Sequence, residues 1–121
     1  MSTVAHLDEL FDCIDRKDVS GFAAHLTDDV IFQFGNSPSI TGKQNAAGAV
    51  AAFFRSIMAI KHHLSESWQT EDVVVCHGIV SYTKLNGKSV AVPFANIMRM
   101  RNGLAYEYRI FVDASPLASE A

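Results

Sequence analysis

The stretch KLNGKSVAVPFANIMRMRNGLAYEYRIFVD, residues 84–113, contains the clearest signals of the fold. It includes two Asn-Gly pairs, Asn86–Gly87 and Asn102–Gly103, each flanked by runs rich in β-branched and aromatic residues. Because Asn-Gly favours the tight turns of β-hairpins, these pairs predict three consecutive antiparallel strands. Pro93 lies inside the middle run, and since proline lacks a backbone N–H, it predicts a sheet edge or a bulge there.

The residues before this stretch show helical spacing first and strand alternation later. Apolar residues recur every three or four positions from Leu7 to Leu26, which predicts a helical hairpin over about residues 3–27. A short strand, a loop and a third, alanine-rich helix follow, and from Lys61 the period changes to two. The predicted ranges are a strand at about 30–34, a helix at about 42–59, strands at about 61–69, 72–84, 89–100 and 104–113, and a frayed tail from 115.

The order of these elements predicts an α+β fold, with a curved antiparallel β-sheet wrapped around three helices. The sheet and the helices would form a cone with an internal pocket, in a single domain covering residues 1–121. Such a cone is a natural site for a small molecule.

Composition excludes several classes of protein. Hydrophobic residues make up 49% of the chain and the net charge is −3 without a basic cluster, so we expect no nucleic acid and no membrane as partners. Cys13 and Cys76 form neither a disulfide framework nor zinc spacing, and the histidines lack metal spacing, so no metal is expected. No leader pattern precedes Arg16 and no run reaches ~20 apolar residues, which favours a cytoplasmic protein.

Several phrases resemble the SnoaL-like branch of the nuclear transport factor two-like superfamily, which includes polyketide cyclases and has ketosteroid isomerase as a more distant member. They are DRKDVSGFAAHLTDDVIFQF at 15–34, ITGK at 40–43, KHHLSESW at 61–68, VPFANIMRMRNG at 92–103 and YRIFVD at 108–113. The resemblance covers nearly the whole chain and implies the cystatin-like roll of that superfamily. The fold hosts enzymes, binding proteins and assembly modules, so it does not fix an activity.

The resemblance also suggests site residues. SnoaL-like cyclases place an acidic residue near the end of the last strand and often a histidine after the third helix, which correspond to Asp113 and His62, with His63 as the neighbouring possibility. The Arg-x-Asp pair of related epoxide hydrolases is absent, since its positions hold Gly78 and Val80.

The residues expected at the positions that ketosteroid isomerase uses are Leu10, Phe34 and Asn96. The general base of that enzyme is therefore missing, although Asn96 retains a group that can donate a hydrogen bond.

Strand alternation predicts a pocket if Asp113 points into the cone. Burial would raise the pKa of Asp113 and suit it to proton transfer, with His62 or Asn96 donating a hydrogen bond to an enolate oxygen. The predicted pocket residues are Phe32, Phe34, Trp68, Gly78, Val80, Phe94, Met98 and Phe111.

Each candidate also has a structural interpretation. Asp113 can terminate its strand by accepting backbone N–H groups, and His62 can be a core or rim histidine. Asn96 can bridge buried groups, and Arg109 can be a surface residue or can bind a substrate carboxylate. The sequence leaves these alternatives open.

The opposite sheet face looks too apolar for water and predicts a homodimer through that convex face. The residues assigned to it are Val75, His77, Ile79, Val90, Val92, Ile97, Tyr108, Ile110 and Val112. The leading hypothesis is a cofactor-independent isomerase, cyclase or lyase that acts on a hydrophobic carbonyl compound. The alternative is a non-catalytic ligand-binding or dimeric interaction module of the same fold.

Overall fold

The computed structural model of the protein describes residues 6–118. Ten elements follow one another along this part of the chain: α1 (Leu7–Asp15), α2 (Val19–Ala23), β1 (Leu26–Phe34), β2 (Ile40–Thr41), α3 (Lys43–Arg55), β3 (Ile57–Thr70), β4 (Val73–Lys84), β5 (Ser89–Arg101), β6 (Leu104–Val112) and α4 (Ser115–Ala118).

The strands form one curved six-stranded sheet in the order β2-β1-β6-β5-β4-β3. Neighbouring strands are antiparallel except for β1 and β6, which are parallel. Helices α1 to α3 supply buried residues to a core that they share with one sheet face. The predicted α+β class is confirmed. Within residues 6–118, no helix combines the length and the apolar character that a membrane span requires.

The predicted helical hairpin is confirmed as α1 and α2, but α2 ends at Ala23 and Leu26 already begins β1. Its predicted residues 3–5 lie outside the described part of the chain. Helix α1 buries Leu7, Leu10, Phe11 and Ile14 because their spacing puts them on one helical face. Asp18 begins α2 by accepting a 2.9 Å hydrogen bond from the Gly21 backbone N–H, as expected of an N-cap.

The third helix ends at Arg55, four residues before its predicted end at 59. Strand β3 begins at Ile57 because its backbone pairs with Lys84 at the far end of β4, so tertiary pairing overrides local helical spacing. Residues 115–118, predicted to be frayed, form the short helix α4. Strand β2 was expected to be part of a loop.

Pro93 lies where its strand has a partner on one side only. It is in register with Ile79 of β4, whereas pairing with β6 begins one residue later, at Phe94 and Val112. The missing N–H of proline is therefore placed at a local edge of the sheet, as the sequence predicted.

The register of the strands defines two sheet faces, because directly paired residues point to the same side. The inner face packs on the helices and carries Phe32, Val80, Phe94, Asn96 and Tyr108. The outer face carries Ile31, Val75, Ile79, Ile97 and Phe111.

The predicted orientation of β6 was wrong. Asn96 is an inner-face residue and pairs with Ile110, so Tyr108, Ile110 and Val112 point inward. Arg109, Phe111 and Asp113 therefore belong to the outer face. Because side chains alternate with a period of two, a one-residue error inverts the whole strand.

Val90 and Val92 are likewise inner-face residues, since they pair with Tyr82 and Val80 and pack against the core. The prediction that Val90 and Val92 contribute to the convex face was therefore wrong.

Candidate functional site

A cavity of about 250 Å³ lies between the inner face and the helices, and we call it the central cavity. Its wall is mostly apolar and aromatic, with a few polar groups. Helices contribute Ile14, Phe22, Ala49, Val50, Phe53 and Phe54; the sheet contributes Phe32, Phe34, Ile40, Ile60, His62, Val80, Tyr82, Phe94, Asn96, Tyr108 and Ile110; and Ser37 and Pro38 complete the wall.

The structure brings six of the predicted site residues together at this cavity: Phe32, Phe34, His62, Val80, Phe94 and Asn96. The other five do not contact it: Trp68, Gly78, Met98, Phe111 and Asp113. The cavity wall therefore includes residues that the sequence assigned to the pocket on β1, β4 and β5, and none of those that it assigned on β6.

Asp113 is exposed at the end of β6, so its predicted inward orientation is corrected. Its Oδ1 accepts a 3.0 Å hydrogen bond from the backbone N–H of Ser115. Hydrogen bonds from the side chain and the backbone of Ser115 lower the pKa of Asp113, the opposite of the rise expected from burial. This geometry matches the alternative in which aspartate terminates a strand.

Trp68 and Phe111 are 46% and 52% exposed and belong to the outer surface rather than to a pocket. The Trp68 indole stacks on the His77 ring at a centroid distance of 5.7 Å. In turn, His77 Nε2 lies 3.0 Å from Glu66 Oε1. Both aromatic side chains therefore enlarge the apolar part of the outer face.

Gly78 is buried and does not line the cavity. Its lack of a side chain lets the backbone of β3 approach closely. A Cβ at this position would overlap the backbone carbonyl oxygen of His63. Met98 lines a second cavity of about 210 Å³, which lies against α1 and shares Tyr108 with the central cavity.

His62 lines the central cavity and forms a close pair with Asp15, which does not line it. The side chains are 11% and 13% exposed, and His62 Nδ1 lies 2.7 Å from Asp15 Oδ1. The His62 backbone N–H also donates to both carboxylate oxygens, at 3.1 and 3.0 Å. Because a carboxylate only accepts hydrogen bonds, Nδ1 carries the proton, and Nε2 of the neutral ring is the basic nitrogen.

Two aromatic rings fix the orientation of the His62 imidazole. Phe94 meets it edge-on at a centroid distance of 5.1 Å, and Phe11 lies 4.7 Å away. A carboxylate on one nitrogen and packed rings on the sides leave the imidazole little rotational freedom. This is the arrangement of a general base that a neighbouring acid orients.

Asp15 was not predicted as a site residue, although the sequence contained a signal for it. Asp15 follows Phe11 by four residues, so it continues the buried face of α1. A carboxylate on an apolar helical face requires a buried partner. That partner, His62, is 47 residues away, and no local pattern connects the two.

Two buried polar atoms at the central cavity, Asn96 Oδ1 and the Tyr108 hydroxyl, have no hydrogen-bond partner within the described residues. Burial raises the pKa of Tyr108, and it raises the pKa of Tyr82, another residue of the cavity wall, to about 12. Both phenols therefore keep their protons near neutral pH and remain hydrogen-bond donors. Tyr108 was missed because of the inverted orientation of β6.

Cys76 is a buried residue of the core. Burial raises the pKa of Cys76 to about 12, so its thiol stays protonated and serves in packing. Across residues 6–118, no group of three or more His, Cys, Asp or Glu side chains is arranged to hold a metal ion.

Solved structures with the same fold cover almost the whole chain. An NTF2-like protein of unknown function from Burkholderia pseudomallei aligns with a TM-score of 0.83 and 19% identity, over 92% of this chain and 90% of its own. A putative SnoaL-like polyketide cyclase from Jannaschia aligns with a TM-score of 0.81 and 15% identity, over 98% and 94%. At these identities the likeness establishes the fold alone.

A third structure, of TerC co-crystallised with polyporic acid, aligns with a TM-score of 0.81 and 18% identity, over 93% of this chain and 92% of its own. Comparison of the sequence with curated proteins gives no significant match. The family model of the SnoaL-like domain matches residues 7–108. Since this match covers most of the chain, from α1 into β6, the protein belongs to the SnoaL-like domain family.

Proposed function

We propose that the central cavity binds a hydrophobic, carbonyl-bearing small molecule and that His62 transfers a proton on it, in an isomerase, cyclase or lyase reaction without a cofactor. The observation that carries this proposal is the Asp15–His62 pair: His62 lines a mostly apolar cavity, and its Nδ1 lies 2.7 Å from Asp15 Oδ1. An oriented imidazole in such a cavity suits general acid–base catalysis.

The proposed proton transfer uses three groups. His62 Nε2 takes a proton from a carbon next to the carbonyl, and the C–H electron pair moves into an enolate. The Tyr108 hydroxyl, which has no partner within the described residues, donates a hydrogen bond to the developing oxyanion. The protonated imidazole, stabilised by the Asp15 carboxylate, then returns the proton to another carbon or to a leaving group.

The size of the cavity limits the ligand. A volume of about 250 Å³ lies near the lower end of ligand pockets, which typically span about 300–1,000 Å³, and favours a molecule of one or two rings. Related folds support small-molecule binding, since TerC was co-crystallised with polyporic acid and a ketosteroid isomerase-like protein from Catenulispora acidiphila was solved with trimethylamine.

The test uses 5-nitrobenzisoxazole, a two-ring carbon acid whose ring opens when a base removes its C–H proton and the N–O bond breaks. We expect the wild type to accelerate ring opening over buffer at neutral pH, and His62→Gln to lose about 100-fold of that rate, a typical contribution of one general base. The released phenolate is followed by absorbance.

Two matched controls separate this role from general damage. His63→Gln alters the neighbouring exposed imidazole, and Asp113→Asn alters the exposed carboxylate at the strand end; both should keep the wild-type rate. A rate equal to that of buffer, or one unaffected by His62→Gln, would contradict catalysis by His62. Binding of the probe without turnover would instead support the non-catalytic ligand-binding module.

We also propose that the protein is a homodimer through the outer face. That face exposes Trp68, Ile79 and Phe111, beside the charged pair formed by Glu107 and Arg109 at 2.7 Å. A second copy would cover the apolar side chains, and a two-fold axis would let the mixed charges of one face meet their complements on the other.

Phe111→Lys should convert the dimer to a monomer at micromolar concentration, because it places a charge within the apolar contact. Leu85→Lys is the matched control, since Leu85 is a 63% exposed apolar residue in the turn between β4 and β5 and should not affect assembly. Light scattering measures both. A monomeric wild type would refute the proposed interface.

A further inference from the structure

We infer that the molecule bound in the central cavity carries a hydroxyl group that donates a hydrogen bond to Asn96, and is therefore a hydroxy- or enolic carbonyl compound. This inference rests on the proposed function and makes its substrate class more specific. It comes from two buried polar atoms that have no hydrogen-bond partner among residues 6–118, Asn96 Oδ1 and the Tyr108 hydroxyl.

The two groups lie deep in the protein on adjacent strands. Asn96 is 1% exposed and Tyr108 is fully buried. Asn96 of β5 is directly paired with Ile110 of β6, so Tyr108, two residues earlier, is its diagonal neighbour on the inner face. Diagonal neighbours are close enough for long side chains to interact with the same small molecule.

Leaving these atoms unpaired has an energetic cost. A buried polar group without a partner typically destabilises a protein, and the rest of this wall is mostly apolar and aromatic. A bound molecule with matching polar groups would remove that cost, whereas a hydrocarbon would not. The pair is therefore a selectivity element inside a cavity that otherwise attracts any apolar molecule of suitable size.

The chemistry of Asn96 Oδ1 defines the matching group. An amide oxygen accepts hydrogen bonds and cannot donate, so a ligand carbonyl or ether oxygen placed against it stays unpaired. The ligand must present an O–H or N–H there. Because the Tyr108 phenol keeps its proton, it can donate to a second oxygen of the same ligand. A hydroxyl near a carbonyl satisfies both groups at once.

Binding of four two-ring probes tests this directly: 2-naphthol, 2-methoxynaphthalene, 2-ethylnaphthalene and naphthalene. The methoxy probe keeps the oxygen and lacks the donor, and the ethyl probe reproduces its shape without oxygen. We expect the wild type to bind 2-naphthol about 10-fold or more tightly than 2-methoxynaphthalene, since an unpaired buried group costs on that order. Titration calorimetry measures the affinities.

Asn96→Leu should abolish the preference for 2-naphthol over 2-methoxynaphthalene while 2-ethylnaphthalene binds as before, which reports an intact cavity. Tyr106→Phe removes a hydroxyl outside the cavity, which donates to Asp72 at 3.1 Å, and should keep the preference. If Asn96→Leu does not fold, Asn96→Met makes the same test with a more flexible side chain.

Equal wild-type affinities for 2-naphthol and 2-methoxynaphthalene would overturn the inference, and so would a preference that survives the loss of the Asn96 amide. In either case, binding of naphthalene would leave the proposed apolar binding site standing. If none of the four probes binds, the proposed function fails, and this inference fails with it.

Discussion

Gly78→Ala should destabilise the protein by about 3 kcal/mol or more, as expected of severe overpacking in a buried site. A methyl group at this position overlaps the backbone carbonyl oxygen of His63, and its other close neighbours are backbone atoms of His63 and Leu64. Backbone atoms in the middle of paired strands cannot move aside as the end of a flexible side chain can.

Gly78 also affects the candidate active site, because it contacts the strand that carries His62. The register between β3 and β4 shifts between Leu64 and Glu66, next to Gly78, which indicates a β-bulge. The close approach of Gly78 to His63 therefore sets the path of the strand that carries His62. We expect the destabilised variant also to lose acceleration of 5-nitrobenzisoxazole ring opening.

Gly48→Ala is the matched control. Gly48 lies inside α3, and a Cβ there would meet no heavy atom within 4 Å. Alanine should stabilise the helix by about 0.5–1 kcal/mol, since glycine loses more backbone freedom on folding. Urea denaturation of both variants gives the free energies. A Gly78→Ala protein as stable as the wild type would show that β3 moves away at little cost.

Asp15→Ala should reduce both stability and proton transfer. The Asp15 carboxylate accepts hydrogen bonds from the backbone N–H and the imidazole of His62, and Lys61 Nζ lies 4.0 Å away. Removing it leaves the two His62 donors unpaired in a largely buried place. We expect the free energy of unfolding to fall by about 3 kcal/mol. A hydrogen bond to a charged group is worth about 1.5–3 kcal/mol, and the two His62 donors share the single Asp15 carboxylate, so their contributions do not add fully.

The same substitution should lower turnover of 5-nitrobenzisoxazole by a factor of about 10 to 100, since the imidazole loses the group that fixes its tautomer and orientation. The effect should appear in kcat more than in KM, because Asp15 is absent from the cavity wall. Asp15→Asn keeps an acceptor for Nδ1–H and should recover part of the stability.

Asp12→Ala provides the comparison one turn earlier on α1. Its carboxylate is 66% exposed and pairs with Arg16 at 3.0 Å. Exposed ion pairs contribute about 0–1 kcal/mol, so this variant should remain close to wild type in stability and in kcat. If Asp15→Ala and Asp12→Ala behave alike, Asp15 does not position His62.

The largest difference between the sequence predictions and the structure lies on β6. Asp113 was assigned to the site because it follows an apolar strand and because SnoaL-like cyclases have an acidic residue near that position. Both reasons depend only on the position of Asp113 along the chain. The side of the sheet it occupies depends on pairing with β5, where Asn96 meets Ile110. A single residue of register separates a buried acid from an exposed turn residue.

The partner of His62, the candidate base, could not be predicted from local sequence either. His62 was identified through the resemblance, but its partner was not, since Asp15 ends a helix 47 residues earlier. Nothing local specifies which carboxylate a histidine meets, because that contact forms only when α1 packs on β3. The unpaired Tyr108 hydroxyl likewise follows from burial on all sides.

The sequence by itself determined the α+β class, the order of the main elements and the two Asn-Gly hairpins, because these depend on periodicity and turn chemistry within a few residues. For Pro93 it left an edge position and a bulge open. Only the tertiary structure decided which face of β6 is buried, that Asp15 orients His62, and that polar atoms of Asn96 and Tyr108 find no partner in the described part of the chain. These features arise from strand register and from contacts between distant segments, which local patterns do not encode.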